Sequence, residues 1–540
     1  MNKLRFATVA GGAAVLALAA ACNPDLNVTN PNQPDVARAI SSGSDVRQLI
    51  GSSYNTMYLA MQGCAVAPCE PNPGIATAVM ADVFTMAFGN FGARFNGQEP
   101  RLAYNNSSAA TDGRVSSQPY DAVYGALGAA NDGLRAIKNN VRVAPTPSSA
   151  DETPQMQAFA WLVQGMALGF ESQIWDKGFV VTEDSEGTAV LVDYKAMRDA
   201  SIVSLNKAIA AATGKSWTIS QDFTSKDLNL TAPNFVKMAN TIAARVIAYN
   251  ARNATENAAT DWAKVLTYAN AGISTGTAPF NLSAFGDGGF TWYDEMKGYG
   301  DLADGSWVRV DQRIIQEAAT NAQPTIWTST TPPPFPVIPD LRFSHGTPNA
   351  AGNIEQAGAD FWFEKAVPYA VARGLYFWSQ WAHARYIDAS YYNDNTQLGP
   401  APYVLQAEND LLIAEALIRT NGDKARAATL INKTRVGRGG LPAVTAATSN
   451  NELLGAIFYE RDVELFDSGA AQGWFDRRRI DPTVTYNGLA IGNIWAFQGG
   501  TNLQKGTPRH LPLPAKELET LGLPVYTYGG ASPNPVFPEM

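Results

Sequence analysis

Residues 158–175 read AFAWLVQGMALGFESQIW, and their spacing decides the fold. Trp161, Leu162, Met166, Phe170 and Ile174 follow the i, i+4 rows of one helical face. Between them stand Gly165, Ala167 and Gly169, small residues that let a neighbouring helix come close. Working outward, helical spacing predicts further helices over 45–61, 120–138, 194–212, 234–250 and 262–273. Later ones are expected over 403–419, 423–436 and 451–466. Strand-like alternation is scarce throughout, so the expected fold class is all-α.

The helices of 158–273 are antiparallel candidates, and Ala239, Ala243 and Ala244 repeat the small-residue pattern on a second one. This resembles a tetratricopeptide-like solenoid, in which each helix pair buries its apolar face against its neighbours; a closed helical toroid is the competing all-α architecture. Irregular insertions rich in Gly, Pro and aromatics interrupt the helices at about 74–106, 275–340 and 361–402. The second contains the run Pro332, Pro333 and Pro334; the third holds Trp362, Phe377, Trp378, Trp381, Tyr391 and Tyr392. Structured insertions on a rigid scaffold are where function usually sits.

The chain has 540 residues, 46% of them hydrophobic, enough for a substantial core. Only 16% are charged, which suits an extracellular surface handling neutral ligands. A formal net charge of −9 argues against nucleic acid and anionic lipid as partners.

At the start, Lys3 and Arg5 precede an apolar stretch over 6–21, shorter than the ~20 residues of a membrane span. It ends in Ala19-Ala20-Ala21-Cys22, small residues before a cysteine, and resembles a bacterial lipoprotein signal. Leu18 stands one place earlier than the commoner position for leucine in such signals. The reading makes 1–21 a signal peptide and Cys22 the lipidated first residue; an ordinary signal peptide or a short buried helix is the alternative. Residues 22–34, with three prolines and four asparagines, are then a tether below a single body over 35–540. Cys64 and Cys69, with Pro68 between them, permit a disulfide-closed loop in an exported protein. His345, His383 and His510 lie far apart in sequence, and no metal or cofactor is expected.

The last third carries an ordered set of segments. A helix containing Glu408 and Glu415 is followed by Asn421-Gly422-Asp423, a helix end and a new N-cap. Next come Arg435-Val436-Gly437-Arg438-Gly439-Gly440, then Tyr459-Glu460-Arg461-Asp462, then Gly473-Trp474-Phe475-Asp476-Arg477-Arg478-Arg479, and finally His510-Leu511-Pro512-Leu513-Pro514. Together with Met80-Ala81-Asp82-Val83-Phe84, this set resembles the SusD/RagB family of outer-membrane lipoproteins. The individual residues also have a plain packing role. Arg461 follows the apolar face of its helix and needs a partner, for which Glu415 and Glu464 are the candidates.

The resemblance implies a tetratricopeptide-type scaffold with a variable ligand-binding region, anchored by lipid in the outer membrane and facing the cell exterior. It implies capture of a glycan or another nutrient and delivery to a SusC-like TonB-dependent outer-membrane transporter. Family members bind glycans through an early and a mid-chain insertion. The matching segments here offer Phe91, Arg94, Phe95 and Asn96 in the first, and Trp292, Tyr293, Trp307 and Arg309 in the second. A sugar ring stacks its C–H face on an aromatic side chain, and its hydroxyls bond to Asn, Asp, Arg and Gln. No nucleophile motif, metal-ligand spacing or phosphate-cradling loop is present, so the chain is expected not to be an enzyme. The alternatives are an all-α glycan-degrading enzyme, which needs two carboxylates about 5–9 Å apart, and a helical-repeat adaptor that binds only protein.

Overall fold

The structure is a computed structural model. It describes residues 42–530, apart from 64–72, 90–91, 111–113, 227, 288–289, 301–307, 387–397, 487–488 and 491–499. Cys22, the tether, Cys64 and Cys69 therefore lie outside the described residues.

The described helices of eight or more residues in the first part are α1 (Gly43–Gln62), α2 (Pro73–Met80), α3 (Arg114–Lys138), α4 (Thr153–Ile174), α5 (Tyr194–Ala212), α6 (Ala232–Ala248) and α7 (Trp262–Ala269). A shorter helix, α8 (Gln312–Ala318), lies in the mid-chain insertion. Then come α9 (Gln406–Arg419), α10 (Lys424–Arg435), α11 (Asn450–Glu464) and α12 (Gln472–Arg477). Local chemistry fixes several of the starts. The side chains of Ser42, Asp193, Thr231, Asp261, Asp423 and Ser449 each accept a hydrogen bond from a backbone N–H of the first turn that follows. Ser449 and Glu452 stand at capping-box spacing.

The scaffold helices stack in chain order. α1 packs on α3 and α3 on α4; α4 packs on α5, α5 on α6, α6 on α7, and α7 on α9. One continuous apolar core runs through the stack, from Val46 and Ile50 of α1 to Ile457 and Phe458 of α11. This is an all-α, tetratricopeptide-like arrangement, as the spacing of 158–273 implies. The small residues of α4 do the expected work. A Cβ on Gly165 would lie 2.6 Å from Leu205 Cγ of α5, and one on Gly169 would lie 2.5 Å from Val246 Cγ2 of α6. Gly169→Val should therefore lower stability by about 2 kcal/mol through overpacking, read as a shift in the urea midpoint. An unchanged midpoint would mean that α4 and α6 do not approach this closely in solution.

The structure corrects some expected boundaries. The first insertion does not begin at Gly74, because Pro73–Met80 forms a helix with every residue buried. Tyr403 is not the start of a helix. It belongs to a strand, Leu398–Val404, that pairs antiparallel with Leu282–Asp287, and α9 begins at Gln406. Tyr403 Oη lies 2.7 Å from Tyr54 Oη, joining that strand to α1. All sheets among the described residues are two-stranded. No described helix is long and apolar enough to cross a membrane.

Residues 459–462 and 474–479 are interior, whereas Asn421-Gly422-Asp423 and Val436 are exposed. Arg461 donates to Glu415 at 2.6 Å and to Asp476 at 3.2 Å, so of its two candidate partners Glu415 is the one used. Arg479 adds two bonds to Glu415, both at 2.9 Å, and Arg419 adds a fourth contact at 2.7 Å. Arg478 finds no carboxylate among the described residues: it donates to the carbonyls of Arg509 and Tyr249 and lies over the rings of Trp474 and Phe475.

Candidate functional site

The mid-chain and third insertions meet where Leu282–Asp287 pairs with Leu398–Val404, and the third also folds on itself through short strands. Phe361–Phe363 pairs antiparallel with Trp381–His383, placing Phe363 opposite Trp381. Helix α8 supplies Gln312 and Ile315 at one side. The proline-rich segment closes the other, held by Asn321 and Gln323. Asn321 Nδ2 donates to Phe335 O at 3.1 Å, and Val337 N donates back to Asn321 Oδ1 at 2.7 Å. Gln323 Nε2 donates to Pro334 O at 3.0 Å. Prolines have no N–H and a fixed φ, so the segment 332–336 keeps an extended course on these few contacts.

The result is a cleft of about 470 Å³ lined by Gln312, Gln323, Trp327, Phe335, Phe363 and Trp381, with prolines 332–334 along one edge and Lys365 and Gln380 at another. That is within the usual size range of small-ligand sites, ~300–1,000 Å³. Phe335 is 53% exposed, although its ring meets Phe363 with centroids 5.1 Å apart and Trp381 at 6.4 Å. One face of an aromatic ring is thus fixed in place and open. Beneath it, Trp327 Nε1 donates to Gln312 Oε1 at 3.3 Å, and Trp327 meets Trp378 edge-on at 5.5 Å. Gln312 and Gln323 are only 4% and 7% exposed. Among the described residues, Gln312 Nε2 and Gln323 Oε1 have no hydrogen-bond partner. Such groups are costly to leave unmade. One is a spare donor and the other a spare acceptor, both buried in the residues that line the cleft. A ring face beside fixed amides suits a polyhydroxylated ring, apolar above and below and polar at its rim. No carboxylate is among the residues lining this cleft.

None of the described residues expected to contact a ligand lines this cleft. Arg94 and Asn96 are half-buried and Phe95 is exposed, on the single turn Ala93–Asn96. Phe91 and Trp307 lie outside the described residues. Trp292, expected at a ligand surface, is 8% exposed and packs against Tyr58 and Tyr54 of α1, with centroids 5.2 and 6.0 Å away. Tyr293 beside it is also buried. Both offer a ligand little surface, because the segment before α8 folds back onto the scaffold. Arg309 is brought to the early insertion, since Phe84–Thr85 pairs antiparallel with Arg309–Val310. Its guanidinium is 4% exposed, and burial lowers its pKa against the opposing fields of Tyr369 and Glu364. The two insertions do meet, but through backbone pairing and interior side chains.

A model of the SusD family matches residues 209–518, more than half of the chain. The chain belongs to the SusD family. Solved SusD-like structures share its fold along nearly its whole length. A SusD superfamily protein from Bacteroides vulgatus ATCC 8482 superposes with a TM-score of 0.56 at 13% identity, covering 89% of this chain and 97% of that one. A SusD superfamily protein from Parabacteroides distasonis ATCC 8503 gives 0.58 at 12% identity, over 88% and 97%. The surface glycan-binding protein A from Bacteroides uniformis gives 0.55 at 15% identity, over 89% and 98%. No curated protein matches the chain. At these identities the SusD likeness is one of fold, and the site must be read from this SusD-family chain's own residues.

The signal that would have found the cleft lay in the sequence: a proline run flanked by Trp327 and Phe335, preceded by Gln312 and Gln323. The proline run stood out there, but nothing in the linear order places Phe363, Gln380 and Trp381 beside it.

Proposed function

We propose that this SusD-family protein captures oligosaccharides in the cleft of residues 312–381 and hands them, unaltered, to a TonB-dependent transporter in the outer membrane. The observation that carries the reading is the cleft itself: an open Phe335 ring sharing it with two buried amides, each with one polar atom left unpartnered. The surface glycan-binding protein with this fold supports the ligand class. A lipid anchor on Cys22 would hold the body at the cell surface beside its transporter. Binding without cleavage fits a cleft whose lining has no carboxylate pair to flank a scissile bond.

The test is a panel of oligosaccharides, read by calorimetry and by ligand-induced rise in Tm, which mass action requires of a true ligand. Phe335→Ala should weaken the bound member about tenfold, the scale of one aromatic contact, and leave the urea midpoint nearly unchanged. Undiminished affinity in the folded variant would move the site elsewhere. Release of shorter sugars on prolonged incubation would make the protein an enzyme.

A further inference from the structure

The cleft lining is apolar and amide-bearing except at one position, Lys365. This ammonium stands out in a chain whose formal charge is −9. It is positioned by its surroundings. Lys365 N donates to Asn353 Oδ1 at 3.0 Å, and Lys365 O accepts from Gln380 Nε2 at 2.7 Å. Its aliphatic stem crosses Gly352, where a Cβ would lie 2.5 Å from Lys365 Cδ. The exposed head is thus held at the cleft by a pinned backbone and a packed stem.

The nearest acid in sequence does not cancel it. The Glu364 carboxylate accepts from Asn353 Nδ2 at 2.8 Å and lies in the field of the buried Arg309. Among the described residues Lys365 itself makes no ion pair, and no carboxylate lines the cleft. A lone cation beside apolar walls acts at a lower effective dielectric than one in open water.

We propose that the ligand is an acidic glycan, an oligosaccharide bearing carboxylate or sulfate groups, and that Lys365 pairs with one such group while a ring stacks on Phe335. The inference rests on the glycan-binding reading above and adds the charge of the sugar. Oligomers of galacturonate, glucuronate and mannuronate are compared with their carboxyl-reduced, neutral counterparts, and a sulfated galactan oligomer with its unsulfated form. Wild type, Lys365→Gln and Lys365→Arg are titrated at low and high salt. At least one acidic member should bind about tenfold tighter than its neutral partner, as a charge-assisted contact provides. That preference should vanish in Lys365→Gln, persist in Lys365→Arg, and shrink as salt rises. Which acidic member wins separates carboxylate from sulfate. Neutral sugars binding as tightly as their acidic partners, or a preference that survives Lys365→Gln, would overturn the proposal while leaving glycan binding intact. Failure of every sugar, acidic and neutral, would overturn the glycan-binding reading and this one with it.

Discussion

Glu415→Ala should destabilise the protein by about 3–5 kcal/mol, the cost of leaving buried charge without its counterion. Glu415 is 1% exposed and is contacted by three guanidinium groups, those of Arg461, Arg479 and Arg419. Burial alone would raise its pKa, but Arg479, Arg461 and Arg419 outweigh that and hold the carboxyl well below the usual range. Removing it strands Arg461 and Arg479 in the interior with Asp476 as their shared remaining acid. The pH dependence follows from the sign. A depressed folded pKa contributes stability that is present above the unfolded glutamate value of about 4.3 and lost as pH falls through the folded one. The gap in unfolding free energy between wild type and variant should therefore be full at pH 7 and narrow on acidification. Denaturant melts at several pH values measure it, with Glu415→Gln as a second variant should the alanine fail to fold. A loss under about 1 kcal/mol at pH 7 would place this cluster in the class of surface ion pairs.

The second large effect is expected at Arg342, which joins the cleft to the scaffold. Its guanidinium donates to Asp340 at 2.7 and 3.0 Å and to Glu460 of α11 at 2.7 and 3.1 Å, with Glu464 at 3.3 Å. Tyr459 Oη donates to Asp340 at 2.8 Å, closing the cluster. Asp340 lies four residues after Pro336, at the end of the segment that walls the cleft. Arg342→Ala should cost about 3–5 kcal/mol and, in protein that still folds, weaken oligosaccharide binding by at least tenfold. Arg342→Lys should rescue little, because one ammonium cannot span two carboxylates as a planar fork does. Full affinity in a folded Arg342→Ala protein would show that the cleft wall stands without its clamp. Phe335→Ala gives the contrast, a loss of affinity with stability kept.

How much of this was legible beforehand varies with the range of the interactions involved. Helix positions were readable because apolar spacing and capping are local: the helix predicted over 194–212 is found as Tyr194–Ala212, closed at its start by Asp193. Gly165 and Gly169 were readable as contact points because only a missing side chain explains small residues on an otherwise bulky face. The aromatics were less readable. Trp292 and Trp381 both stand on insertions between the scaffold helices, yet one packs under α1 and the other lines a cleft. Both are buried, at 8% and 3% exposed, so exposure would not have separated them.

The amino-acid sequence by itself determined an all-α repeat scaffold, the order of its long helices, and membership of the SusD family, because these depend on periodicity and on short motifs in fixed order. Tertiary structure alone decided which acid pairs with Arg461, which tryptophan lines the cleft, and that Gln312, Phe335, Lys365 and Trp381 share it. Those outcomes depend on side chains tens of residues apart, and their meeting is set by how the insertions pack back onto the helices.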